Sequence, residues 1–182
     1  GNLKIQIMKK ILLSTLLRAF TLVFLSCSND EDAVTNASES QITGTWNLTA
    51  LETKDGRSDT NFDGTSIPTT FTAVGKDFDT VVTFSENPNI VTSEGSYTTV
   101  ITTTVMGETS TEEETGEDFF ESDEWRLDGS TLYFGTGDEE VGFTITELTD
   151  GKMSLRYEVD ETVDFFGATT SVSATYNMTL TK

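Results

Sequence analysis

Histidine is absent from this chain of 182 residues, and Cys27 is its single cysteine. Without histidine, neither a Ser-His-Asp triad nor a Cys-His nucleophile nor the usual His-containing zinc site can be built. One cysteine allows no intramolecular disulfide and no CxxC motif. Two carboxylates could still carry out a glycosidase-type hydrolysis, but 31 acids bring some pair together in any fold. The chain is therefore interpreted as a non-enzyme.

Basic residues are also scarce. Four of the eleven precede Cys27, which leaves seven against 31 acids and a net charge of −24 for the rest of the chain. A surface this negative repels phosphate backbones and anionic lipid headgroups. The composition thus excludes nucleic acid as a partner and excludes adsorption to a membrane by charge, whereas divalent cations remain suitable partners.

The first 26 residues have the pattern of an export signal. Met8 is followed by Lys9 and Lys10, and two apolar runs at 11–17 and 19–25 lead to a small residue. We predict an export signal over 1–26 that starts at Met8, with residues 1–7 preceding the true start. The alternative is a transmembrane anchor, but the 17 residues from Ile11 to Cys27 are few for a span and are interrupted by Arg18.

The end of this segment, Phe24-Leu25-Ser26-Cys27, resembles the lipobox of bacterial lipoproteins. The resemblance implies cleavage before Cys27 and a diacylated Cys27 as the mature N-terminus, which gives stable membrane anchoring. A general signal peptide beside an ordinary cysteine is the alternative. An unpaired thiol exposed in an oxidising compartment would be unusual, and this favours lipidation.

The residues after Cys27 are small, polar and acidic, and they show no periodicity. The run 28–32, Ser-Asn-Asp-Glu-Asp, resembles the export tract of surface-displayed Gram-negative lipoproteins. We predict that 27–41 form a lipidated, flexible acidic linker. The expected location is the outer membrane, with lipid anchoring and exposure at the cell surface.

From Ile42 onward, apolar residues alternate with polar ones in runs bounded by glycine, as in β-strands. Asp128-Gly129 and Asp150-Gly151 separate such runs, which predicts two-residue hairpin turns with positive φ and hence a meander. The predicted fold of 42–182 is all-β, an antiparallel up-and-down barrel of eight strands, with a two-sheet sandwich as the alternative. The acidic run 112–118 is predicted to be an exposed loop. The protein is expected to be a monomer.

Gly44-Thr45-Trp46 resembles the G-x-W signature of lipocalins, and the resemblance extends over about 42–182 to the lipocalin-like domains of bacterial lipoproteins. It implies an eight-stranded barrel with Trp46 packed across a closed end. In many lipocalins an arginine covers this tryptophan, and here Arg156 or Arg126 would have to do so.

Two candidate sites follow. The aromatic side chains expected to point inward could line a cup for a small apolar or amphipathic ligand, or they could fill the barrel as a core; they are Trp46, Phe84, Tyr97, Trp125, Phe143, Tyr157 and Tyr176. The run Asp59-Thr60-Asn61-Phe62-Asp63-Gly64 matches the first half of a calcium loop, with the carbonyl of Thr65 as the next ligand. The alternative for that run is a solvated loop without metal, and no other cofactor is expected.

These observations favour a lipid-anchored, lipocalin-like binding protein for a small apolar or amphipathic ligand. A structural or interaction lipoprotein with a filled barrel, stabilised by calcium, is the alternative. A hydrolase with two carboxylates in the barrel mouth is the third hypothesis, and it requires an acid with a raised pKa in an apolar pocket.

Overall fold

The computed structural model describes residues 34, 37–117, 120, 123–165 and 167–182. The predictions for the export signal and for Cys27 lie outside these residues. The described chain forms one hydrogen-bonded sheet of nine antiparallel strands, which confirms the all-β antiparallel prediction.

A single helical turn, α1 (Glu39–Ile42), precedes the sheet, and a 3₁₀ turn lies at Gly137–Glu139. No described helix is long and apolar enough to cross a membrane. The strands are β1 (Gly44–Phe62), β2 (Thr65–Ser85), β3 (Ile90–Val105), β4 (Glu108–Glu117), β5 (Asp123–Asp128), β6 (Thr131–Phe134), β7 (Val141–Leu148), β8 (Lys152–Phe165) and β9 (Ala168–Thr181).

Eight of the nine strands are hydrogen-bonded in a ring. Its order is β1-β2-β3-β5-β6-β7-β8-β9, and β9 returns to β1. The ninth strand, β4, pairs with Ser96–Val105 of β3, whereas β5 pairs with Ile90 and Val91 at the other end of β3. The strands follow the predicted meander order, with β4 added beside the ring because β3 is long enough to serve two neighbours.

The sheet continues beyond the ring on one side only. β7 pairs with β8 from Met153 to Arg156, whereas β8 and β9 stay paired as far as Phe165 and Ala168. Beyond the pair of Thr144 and Arg156, near the start of β7, the sheet therefore consists of β4, β3, β2, β1, β9 and β8, with β4 and β8 as its edges. We call this open part the long-strand half.

The interior of the ring is filled by side chains of its own strands. Trp46, Phe84 and Trp125 are almost completely buried, and the ring of Phe84 meets that of Trp125 edge-on at 5.7 Å between centroids. Phe134 contacts Phe143 in the same manner at 5.4 Å. Burial of apolar surface contributes about 25 cal/mol per Å², so this aromatic cluster is the main stabilising element of the fold.

The two Asp-Gly turns differ from their prediction. The loop between β5 and β6 is Gly129-Ser130, because Asp128 pairs with Thr131; Gly129 alone has positive φ there. At Asp150-Gly151 neither residue has positive φ, and the backbone N–H of Thr149 donates to the carbonyl of Lys152 instead. Both are tight hairpin turns, but the chain closes each with a geometry that the dipeptide alone does not specify.

The acidic run predicted as a loop is a strand. Residues 112–117 belong to β4, which pairs with β3 along its whole length and is exposed at almost every position. Threonine and pairing with β3 favour the extended backbone, and closely spaced carboxylates on an edge strand oppose pairing with another chain. The charge pattern was therefore correct for exposure and wrong for secondary structure.

The packed part of the chain also begins earlier than the predicted end of the linker at residue 41. The backbone N–H of Val34 donates to the carbonyl of Ile145, and Val34 and Ala37 pack against the core. Ser38 caps α1, whose Gln41 side chain accepts from the backbone N–H of Ser38. Two small apolar residues and a capping box thus dock this segment against the ring.

Candidate functional site

Trp46 is completely buried near the start of β1, beside α1, and Lys182 covers its indole; we call this end of the ring the closed end. The indole N–H donates to the carbonyl of Ile42 at 2.7 Å, and the Lys182 ammonium lies 4.3 Å from the centre of the indole ring. The arginines predicted for this role lie elsewhere: Arg126 stacks on Tyr133 at 3.8 Å, and Arg156 is near Glu158. Any cation over the ring face satisfies the same electrostatic requirement, and the end of β9 supplies a lysine.

The predicted ligand-lining aromatics divide into two groups. Four of them are packed in the core of the ring, namely Trp46, Phe84, Trp125 and Phe143. The other three are half-buried, namely Tyr97, Tyr157 and Tyr176. The phenol rings of Tyr157 and Tyr176 are 6.1 Å apart, and Phe143 lies 5.2 Å from Tyr157. The tyrosines therefore form the boundary between the filled ring and the long-strand half.

Strand alternation shows which other side chains share this surface. β8 and β9 pair without a register shift from Lys152 to Phe165, so every second residue lies on one face. Tyr157 and Glu161 lie on the same face of β8 as the buried Met153 and Leu155. We call the face that continues the core the inner face.

The floor between the tyrosines and Glu161 is made of small residues that are buried although the sheet is open here. Ala174 is the β9 residue between Tyr176 and Val172, and it is 6% exposed. Thr53 and Ser58 of β1 pair with Tyr176 and Val172, and they are 7% and 6% exposed. Buried small residues beneath half-exposed large ones describe a cleft. We call it the tyrosine cleft; its residues are Tyr157, Tyr176, Glu161, Thr53, Ser58 and Ala174.

The ionisable groups of the cleft are partly removed from water. Burial raises the pKa of the Tyr157 and Tyr176 phenols, and the charge of Glu161 raises the pKa of both further. Burial also raises the pKa of the Glu161 carboxyl above its ordinary value. The cleft is thus a place where polar groups lose water and gain from a ligand that replaces it.

Of these residues, sequence patterns pointed only to the tyrosines. Glu161 was missed because it stands in the acidic run 158–164, where nothing singles out one carboxylate. Continuing the period of two from Met153 through Leu155 and Tyr157 would have placed it on the core-facing side. A period of two could not have predicted that Thr53 and Ser58 share this face, because β1 shifts register between Lys54 and Arg57.

The predicted calcium loop is the end of a hairpin. Asp59 and Asn61 lie within β1, paired with both β2 and β9, and only Asp63 and Gly64 form the turn, with φ of 51° and 77°. The carboxylate of Asp59 accepts from the hydroxyl of Ser66 at 2.8 Å, and Thr65 begins β2. Extended backbone spreads these oxygens along the strand, so the turning loop of the prediction is not formed. Among the described residues no group of three or more acids is arranged to hold a metal; calcium binding stays a prediction.

A second depression lies on the outer face, where β1 bulges at Asp55 and Gly56. It has a volume of about 320 Å³, and its lining includes Val159 and Ala174 of the inner face as well as outer-face residues, namely Asp55, Arg57, Glu158, Asp160, Ser173 and Thr175. Its charged side chains are exposed to solvent. The groove is shallow and open to solvent, whereas a small molecule is usually held in a more enclosed site.

Comparison with known proteins identified no match: no family model, curated protein or solved structure is significantly similar to this chain.

Proposed function

We propose that this protein is a lipid-anchored, lipocalin-like binding protein of a bacterial outer membrane that holds a small amphipathic ligand in the tyrosine cleft. The ring of eight hydrogen-bonded strands and the tryptophan at its closed end support the lipocalin-like barrel. The observation that carries the function is the change from a packed interior to half-exposed tyrosines over a floor of small buried residues.

The proposed binding position lies outside the ring interior, whereas the sequence suggested a cup inside the barrel. The ring interior holds large side chains that a ligand would have to displace, and their displacement would disrupt the close packing of the core. The tyrosine cleft needs no displacement because its large rings form walls above small residues. Phenol rings offer apolar faces together with hydroxyl groups, which suits a ligand that has both kinds of surface.

The binding proposal predicts a large effect of removing the tyrosine wall. In Y157A/Y176A, a panel of fluorescent amphipaths with carboxylate, glycosidic and ammonium headgroups is expected to bind at least about fivefold more weakly than to the unaltered protein, because each ring contributes about 0.5–1.5 kcal/mol. Fluorescence titration measures this. The control is Tyr133→Ala, which removes a tyrosine from the outer face of β6. Equal affinities for the double variant and the control would refute the cleft as the binding site.

The anchor is tested separately. Cys27→Ser is expected to abolish incorporation of a labelled fatty acid and to move the protein from the membrane fraction to the soluble fraction. The reason is that the cysteine thiol is the group of a lipobox that becomes lipidated. Ser26→Ala is the matched control and should retain both label and location. If Cys27→Ser still incorporates the label, the lipid is attached to another residue and the assignment to Cys27 is refuted.

The alternative of a surface interaction protein is supported by the ends of the long hairpins. Phe62 is 58% exposed beside the turn at Asp63 and Gly64, Met106 is 81% exposed within the turn between β3 and β4, and Val163 is exposed close to the end of β8. Exposed apolar side chains at one end of a domain are typical of contact surfaces. Failure of every amphipath to bind the unaltered protein would favour this alternative over ligand carriage.

A further inference from the structure

The inner face of the long-strand half carries negative charge only. Besides Glu161 on β8, the residues of β4 that pair with inner-face positions of β3 include Glu108, Glu112 and Glu114, opposite Val105, Ile101 and Thr99. Acids therefore stand on both edge strands of this face, while Thr53, Ser58 and Thr69 form the buried floor between them.

The described basic side chains lie on the other surface or at the closed end of the ring. Lys76 bonds to Glu113 at 2.7 Å, and Arg126 bonds to Glu140 at 2.6 Å. Three more lie on the outer face: Lys54 beside Glu52, Arg156 near Glu158, and Arg57, which pairs with the outer-face position Ser173. Lys152 is paired with Glu147, and Lys182 covers Trp46. All seven basic residues that follow Cys27 are thus placed away from the inner face.

The geometry points to an organic cation, an ammonium or quaternary ammonium group carrying an apolar chain, as the ligand of the tyrosine cleft, held between the rings of Tyr157 and Tyr176 and the carboxylate of Glu161. This inference rests on the proposed function and narrows it to one class of ligand.

Each part of the cleft suits this class. Two phenol rings 6.1 Å apart and inclined by 30° form a shallow aromatic wall, and aromatic faces attract cations most strongly where water is excluded. Glu161 lies four residues beyond Tyr157 on the same face, about 13 Å along the strand. The side chains of Glu161 and of the two tyrosines bridge part of that distance. The apolar chain would then lie along Val172, Val159 and Phe71.

A matched set of probes separates this inference from the function on which it rests. Hexyltrimethylammonium, the neutral compound in which carbon replaces its nitrogen, and hexyl sulfate are titrated into the protein by calorimetry. We expect the cation to bind at least about tenfold more tightly than its neutral counterpart, and the sulfate not to bind. Equal binding of the cation and the neutral compound would overturn the cation inference and keep the amphipath function. Absence of binding by all three would count against both.

Glu161→Gln tests the carboxylate itself. This variant should lower the affinity for the cation about tenfold and leave the affinity for the neutral compound unchanged, because only the charge of the side chain is removed. Glu158→Gln is the control, since Glu158 lies on the same strand as Glu161 but on its outer face, where it pairs with Thr175. A loss of cation binding in both variants would show that the net charge of the protein is responsible and would overturn the assignment to the cleft. Unchanged binding in Glu161→Gln would overturn it as well.

Discussion

Trp46→Ala is expected to lower the free energy of unfolding by about 3–5 kcal/mol, the usual loss for a large buried aromatic. The indole is completely buried at the closed end of the ring, and it contributes a hydrogen bond to the carbonyl of Ile42 as well as its packing surface. Alanine would leave both a cavity and a carbonyl without that donor. Urea unfolding followed by far-UV circular dichroism measures the change, and a loss below about 1 kcal/mol would contradict the assigned role.

Lys182→Ala is the control for this variant. Lys182 is exposed, and its ammonium lies over one face of the indole ring, so its removal should cost no more than about 1 kcal/mol. The comparison separates the packing of Trp46 from its cover. A loss in Lys182→Ala as large as that in Trp46→Ala would mean that the lysine, and not the buried ring, holds this end of the ring closed.

The second large effect is expected at a glycine in β3. A Cβ atom at Gly95 would lie 1.7 Å from the carbonyl oxygen of Asp79, and Gly95 has φ of 107°. At this point β2 shifts register between Lys76 and Asp79, and its backbone approaches β3 too closely for a side chain. Gly95→Ala combines an unfavourable φ with a backbone clash, and we expect it to destabilise the fold by about 2–5 kcal/mol.

Gly107→Ala is the matched control, because Gly107 has φ of 84° and a Cβ atom there would have no heavy atom within 4 Å outside its chain neighbours. It should cost about 1–2 kcal/mol from the left-handed backbone alone. Thermal and urea unfolding of both variants measure the difference. If the two variants unfold at the same urea concentration, the close approach of β2 to Gly95 contributes nothing and the prediction fails.

The strand pattern was predictable because it depends on local alternation. Met153, Leu155 and Tyr157 on β8 and Tyr176, Met178 and Leu180 on β9 have a period of two in the sequence, and that period alone assigns them to one face. Trp46 was likewise expected to be packed inside, and it is completely buried. The lysine above it was not predicted, because Lys182 is 136 positions away and nothing in its local sequence marks it.

The division of the aromatic residues could not be predicted in this way. Phe143 and Tyr157 follow the same alternation, yet one is packed in the ring and the other opens towards the cleft. Their difference arises because the pairing of β7 with β8 reaches only from Met153 to Arg156, which pairs with Thr144 near the start of β7, while β8 and β9 continue beyond it. The length of one strand relative to its neighbour decides where the core stops and the cleft begins.

The amino-acid sequence by itself determined the β-class, the meander order and the acidic surface, since composition and alternation act over a few neighbouring residues. Tertiary structure alone decided that β4 joins the long-strand half, that lysine rather than arginine covers Trp46, and that Glu161 shares a face with the two tyrosines. These features depend on strand register and on bulges in β1 and β2. A register is fixed by the sum of many contacts between distant residues, and no short stretch of the chain contains that sum.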